Sequence, residues 1–343
     1  MAYQRIDPAS RVYQEFARLY SVARAMRPSN HDGWNGELYS RDDDVWGSIN
    51  PKSGAISLNA RQVLPYLTGA PSPSHRAEQT QALQTVLHEA YHQGVETDAP
   101  NERNAFRGYE SKALDEGLTE FQASRRVTAF ARQAGYGHHV SQQHAYPGAY
   151  VATTELLDYA VDQPQDRAPL AQRALDQPVV MRWDTIADEI VRNKLANVVP
   201  SDPHHQQAAR GALVTAMAHQ GWHRLQDFDK VAGELAARHT TARLDNAIND
   251  ISRHYRDSPH EVYPASPPNT AFAPRDHDQS QAPVKGPSAQ TRQAVDPAMR
   301  AAFGGQAPAS GAIQNAPSLG NGARGAGRNI PSHGLTPRGR DDR

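Results

Sequence analysis

Residues 88–92 read His-Glu-Ala-Tyr-His, an H-E-x-x-H. Around it Leu83, Val86, Leu87 and Ala90 recur at helical spacing and define one apolar side. On such a helix His88 and His92 lie one turn apart on a single face. Two neutral imidazoles so placed can ligate one Zn²⁺ at about 2.0–2.1 Å. Glu89 sits about a hundred degrees further round, within reach of a metal-activated water as general base without being a ligand. Because the apolar side faces the core, the two histidines are expected to face a cleft or solvent. A catalytic zinc also needs a third protein ligand and an open position. The run Leu114-Asp115-Glu116-Gly117-Leu118-Thr119-Glu120-Phe121 offers one. Leu114, Leu118 and Phe121 form its buried stripe, while Glu116 and Glu120, four apart, share a face. One of these carboxylates can bind metal while the other supports the ligands. Glu116 is the expected ligand.

These residues need elements to carry them. The pattern predicts a helix opening at Asp7-Pro8 and stopping near Arg27-Pro28. Three short strands are expected, Glu37–Ser40, Val45–Ile49 and Ala55–Asn59. The turn-forming stretch Asn50-Pro51-Lys52-Ser53-Gly54 should join the last two as an antiparallel hairpin or meander. The H-E-x-x-H helix should be capped by Ser72 or Ser74 and end at Gly94. A second helix is expected over Glu110–Gln133 and a third from Pro147-Gly148. Helical periodicity then continues from Ala168 to Tyr255.

A hairpin, an H-E-x-x-H helix and a helix bearing D-E-G-x-x-E resemble the gluzincin branch of the zincin metallopeptidases. The resemblance spans about residues 36–135. It implies His88, His92 and Glu116 as zinc ligands, Glu89 as the base that activates water, and Glu120 as a carboxylate supporting the ligands. It also implies a sheet edge along which a peptide lies extended, for which Ala55–Asn59 is the counterpart. A downstream Tyr or His should stabilise the oxyanion; the candidates are His138, His139, His144, Tyr146 and Tyr150. Tyr150 is preferred, because it enters the third helix where a rigid element could aim it. The metzincin pattern would instead use Asp98, but its required glycine falls at 94 rather than 95.

Composition bounds the remaining possibilities. Lys+Arg number 36 against Asp+Glu 37, so no strong positive field favours nucleic acid. The absence of cysteine excludes disulfides, thiolate metal sites and cysteine nucleophiles. No apolar run is long enough for a membrane span or a signal-peptide core. No phosphate-binding glycine loop or G-x-S-x-G is present. His204-His205 and Asp42-Asp43-Asp44 read as solvated element entries. Mean hydropathy is -0.73, and 12 Pro and 10 Gly fall between Asp257 and Arg343. That stretch buries too little to offset its ordering entropy.

The expected fold is α+β and mostly helical. Residues 1–164 form a zincin-like domain with a small antiparallel sheet, 165–256 a helical extension packed on it, and 257–343 a disordered tail. The expected function is zinc-dependent hydrolysis of a protein or peptide substrate, in the cytoplasm or after export without a cleaved leader. A housekeeping enzyme and a leaderless toxin or effector both fit. The alternative is a non-enzymatic zinc-binding interaction protein.

Overall fold

The computed structural model describes residues 3–141 and 143–268. The fold is α+β and mostly helical. Four strands, β1 (Tyr3–Arg5), β2 (Leu38–Arg41), β3 (Gly47–Ile49) and β4 (Ile56–Asn59), form one sheet in the order β1-β2-β4-β3. The expected hairpin is present, with β3 antiparallel to β4 and Ser48 opposite Ser57. The sheet is mixed, however, not antiparallel: β4 inserts between β3 and β2 and runs parallel to β2. This also corrects the expected edge. All four residues of β4 are buried, which suits an inner strand, and β3 takes the edge.

Eight helices accompany the sheet among the described residues. α1 (Arg11–Met26) starts after Ser10, whose hydroxyl caps it, rather than at Asp7. α2 (Arg76–His92) carries the H-E-x-x-H and follows a short 3-10 turn at Pro73–His75, so neither Ser72 nor Ser74 caps it. α3 (Glu110–Gln133) carries D-E-G-x-x-E. α4 (Pro147–Ala160), α5 (Arg167–Leu175), α6 (Arg182–Lys194), α7 (Pro203–Met217) and α8 (Lys230–Asp257) complete the set.

Two apolar clusters organise these elements. A sheet-side cluster joins α1, β2, β4 and α2 to the second half of α3 through Ala123, Val127, Phe130 and Ala131. A helical cluster joins α4–α8 to the first half of α3 through Ala113, Leu114, Leu118 and Phe121. The expected boundary at residue 164 falls in an exposed turn between two helices of one cluster, since α4 before it and α5 after it both contribute to the helical core. The chain also stays on the body beyond 257. Tyr263 packs against the helical cluster, and its N–H donates to the Tyr255 hydroxyl at 3.3 Å. The rest of the expected tail lies outside the described residues.

Candidate metal centre

α2 is not a surface helix with a wet histidine face. Nearly every residue from Gln79 to Tyr91 is buried, because the sheet and α1 cover one side while α3, His139, Gln143 and Tyr146 cover the other. His88 is 4% exposed. Of the expected cleft or solvent exposure, the solvent-facing arrangement is not seen for His88; the His92 and Glu116 side chains keep modest access, at 14% and 13%.

The three expected ligands do meet. His88 Nε2 lies 3.0 Å from His92 Nε2 and 3.1 Å from Glu116 Oε2, and His92 Nε2 lies 3.3 Å from the same oxygen. Zinc bonds of about 2.0–2.1 Å at tetrahedral angles place ligand atoms roughly 3.3 Å apart. The triangle has that size. Among the described residues it is the sole group of three or more such side chains that could hold a metal ion.

The outer nitrogens explain why these atoms converge. His88 Nδ1 faces Glu120 Oε2 at 3.0 Å, and His92 Nδ1 faces Asp115 Oδ2 at 3.2 Å. A carboxylate accepts, so the His88 Nδ1 that bonds Glu120 carries a proton, and the negative Asp115 carboxylate beside His92 Nδ1 favours the same tautomer there. In the neutral tautomers both Nε2 lone pairs then point at each other and at the Glu116 carboxylate. Three acceptors at van der Waals contact repel unless a cation sits among them. Without a metal that cation is a proton. Burial opposes the charge on His88, but the Glu116 and Glu120 carboxylates outweigh it and push His88 up to about 9. Burial likewise acts to raise Glu116, yet His92 and His88 hold it well below the usual carboxylate range.

Glu120 is locked as a support. It accepts from Gln84 Nε2 at 2.7 Å and from the Ala145 N–H at 3.1 Å, besides His88. The glycine in D-E-G has a separate cause. A Cβ on Gly117 would come 2.6 Å from the Ala149 carbonyl oxygen and 2.1 Å from Thr153 Oγ1. Gly117 therefore lets α4 lie close on α3, beside Glu116.

That close approach decides which tyrosine reaches the centre. Tyr146 is the N-cap position of α4, and its ring centroid lies 5.4 Å from that of His88. The preferred Tyr150, one turn inside α4, stacks instead on His144 at 3.5 Å and packs toward Phe121. Tyr146 holds its proton strongly: burial and the carboxylates of Glu116, Glu89 and Glu120 raise it well above the ordinary phenol range. His139 is buried elsewhere, with Nδ1 2.7 Å from Thr80 Oγ1, and His138 is exposed.

Glu89 stays outside the ligand triangle. It is 3% exposed, and burial raises its carboxyl above the usual range. It lies against the edge strand: a Cβ on Gly47 would stand 2.5 Å from Glu89 Oε1. The alternative ligand Asp98 is exposed and pairs with Arg107 at 2.9 Å. His204 and His205 sit in the first turn of α7, where His205 Nδ1 faces the Tyr255 hydroxyl at 3.2 Å. Asp42 and Asp43 pair with Arg61 and Arg41.

Sequence reasoning missed Gly47, Asp115 and Arg182. Asp115 stood in the quoted motif, but only the fold turns it toward His92. Arg182, on α6, is fully buried and ion-paired to Asp115; nothing in its sequence neighbourhood marked it. No protein-family model, no curated protein and no solved structure matches this chain. No helix among the described residues is long and apolar enough to cross a membrane.

Proposed function

We propose that the chain is a zinc-dependent peptidase. The observation that carries this is the triangle of His88 Nε2, His92 Nε2 and Glu116 Oε2, with a raised, non-ligand carboxylate, Glu89, beside it. A purely structural metal site needs ligands but no such neighbour.

Zinc bound there would supply a polarising charge and a water acidic enough to ionise near neutral pH. The chain's own residues do the rest. A substrate backbone pairs with β3, whose outer side is the sheet edge. Glu89 takes the attacking water's proton on its carboxylate and returns it to the leaving amine. Its raised proton affinity suits both halves of that exchange. Tyr146, held as a neutral phenol, donates its O–H to the oxygen that gains charge in the transition state. Glu120 and Asp115 hold the two imidazoles in the Nδ1–H tautomer, so both Nε2 lone pairs point at the metal.

Glu89→Gln tests this reading. The amide is nearly isosteric but cannot accept the proton. Zinc stoichiometry should stay at wild type while cleavage of an unbiased peptide mixture, read by mass spectrometry, falls at least about a hundredfold. Equal cleavage by wild type and variant would refute Glu89 as base. A wild type that binds zinc but cleaves nothing, and instead captures a protein partner, would favour the interaction-protein alternative.

A further inference from the structure

Arg182 is the first residue of α6 and is 0% exposed. Its Nη1 is ion-paired to Asp115 Oδ1, while Asp115 Oδ2 faces His92 Nδ1 at 3.2 Å. Two of its nitrogens, Nε and Nη2, meet no acceptor among the described residues. A buried arginine so sparsely compensated is a poor stabilising device. Apolar residues of similar volume commonly serve a core as well or better than a buried ion pair. The cation therefore calls for a reason other than packing.

Its neighbours show where the start of α6 acts. Trp183 Nε1 donates to Ser111 Oγ at 3.2 Å, and Asp184 Oδ1 accepts from Asn104 Nδ2 at 2.7 Å. Just upstream, the Val179 N–H donates to the Glu96 carbonyl at 3.0 Å, and the Val180 carbonyl accepts from the Phe106 N–H at 2.8 Å. Residues 179–184 thus grip both the connection leaving His92 and the first turn of α3, which leads to Glu116.

We propose that Arg182 is a positioning residue of the metal centre, holding the Asp115 carboxylate on His92 Nδ1 and so aiming His92 Nε2 at the metal. This rests on the zinc reading above. Without the guanidinium, the Asp115 carboxylate is free to rotate away from the imidazole, and His92 loses the partner that sets its tautomer and ring angle. The helical segment after residue 164 then belongs to the centre and is not an appendage to it.

The test is Co²⁺ titration of the full chain, reading the dissociation constant and the visible ligand-field bands, beside the melting temperature of the metal-free protein. Wild type, R182M, R182K, D115N and R182M/D115N are compared. R182M and D115N should each weaken Co²⁺ binding about 10–100-fold and shift the bands. The double variant should bind no more weakly than D115N, since both act through one contact. R182K keeps the charge but not the planar fork, and should fall between wild type and R182M. The melting temperature should drop in R182M, which strands a carboxylate, and recover in the double variant while Co²⁺ affinity does not. A merely structural role would make affinity recover with stability. Wild-type Co²⁺ affinity in R182M, or losses that multiply in the double variant, would overturn the positioning role alone. Failure of the wild type to bind Co²⁺ would overturn the zinc reading as well.

Discussion

The two halves of α3 belong to different cores, and the metal triangle sits where they meet. On the sheet side, α2 presses its apolar residues against β2, β4 and α1, which sets the positions of His88, Glu89 and His92. On the helical side, Leu114 and Leu118 are fully buried among α4–α8, which sets Glu116 between them. In the proposed reading the sheet half supplies two ligands, the base and the substrate edge, and the helical half supplies the third ligand, the Tyr146-bearing start of α4 and Arg182. Neither half holds a complete centre. Side chains divided in this way are aligned by the packing of two cores, so on the proposed reading small errors in that packing should appear first as lost metal affinity.

The largest effect that can break this division is at the helical half's own ligand. Glu116→Gln replaces a charged oxygen by a neutral one and should weaken zinc by at least about a hundredfold, on the scale at which even outer-contact changes cost 10–100-fold. Asp98→Asn should leave the affinity unchanged. The reverse pattern, read by zinc titration against a chelator, would move the third ligand to the 93–109 connection. On the sheet half, Gly47→Ala drives a methyl to within 2.5 Å of Glu89 Oε1. It should lower kcat by up to ~10²-fold, the scale for displacing a catalytic group by about 1 Å, with zinc content unchanged. Unchanged kcat would show that Glu89 has no fixed station at the edge strand.

A titration sharpens the comparison next. His219 lies just past the end of α7, at the start of the Gln220–Trp222 turn in the helical half, where its Nδ1 accepts from the Gly221 N–H at 3.0 Å. Burial, with Arg243 and His239 nearby, pushes it down to about 4. Its folded value thus lies below the unfolded value of about 6.5, so the folded state resists the proton. The stabilisation is complete above about pH 6.5 and is lost as pH falls toward about 4, amounting to about 3 kcal/mol. His219→Gln should flatten that part of the stability–pH curve relative to wild type, measured by urea unfolding. An unchanged acid limb would assign it to other groups.

Truncation gives the smallest effect. Ending the chain after Pro268 should leave the melting temperature within about a degree, since the removed sequence is rich in Pro and Gly and its apolar residues are scattered singly, too few to bury much surface. Ending it after Asp257 removes Tyr263 from that core and should cost a few degrees, on the scale of about 1 kcal/mol for a partly buried side chain. Equal melting temperatures would show that residues 258–268 contribute nothing to the helical half.

Much of this protein was legible before its fold was known, and the legible part was local. The helix bounds of α3 and the start of α4 follow from apolar spacing and from Pro147. The i,i+4 placement of His88 and His92, and of Glu116 and Glu120, follows from helix geometry alone. Strand existence was equally readable from short apolar runs between turn residues, except for the three exposed residues of β1.

What the tertiary structure decided is the arrangement of those pieces. Strand order put β3 rather than β4 at the edge, because pairing of β4 with β2 joins residues about 18 apart and leaves no periodic trace. The burial of His88 comes from two layers closing on α2, which a single helix pattern cannot express. Tyr146 rather than Tyr150 comes beside His88, where Gly117 lets α4 lie close against α3. Arg182 reaches Asp115 across 67 residues of chain. Local spacing determined which side chains could serve a metal; only long-range packing determined which way the supporting groups point, since side-chain direction across elements is set by the cores that join them.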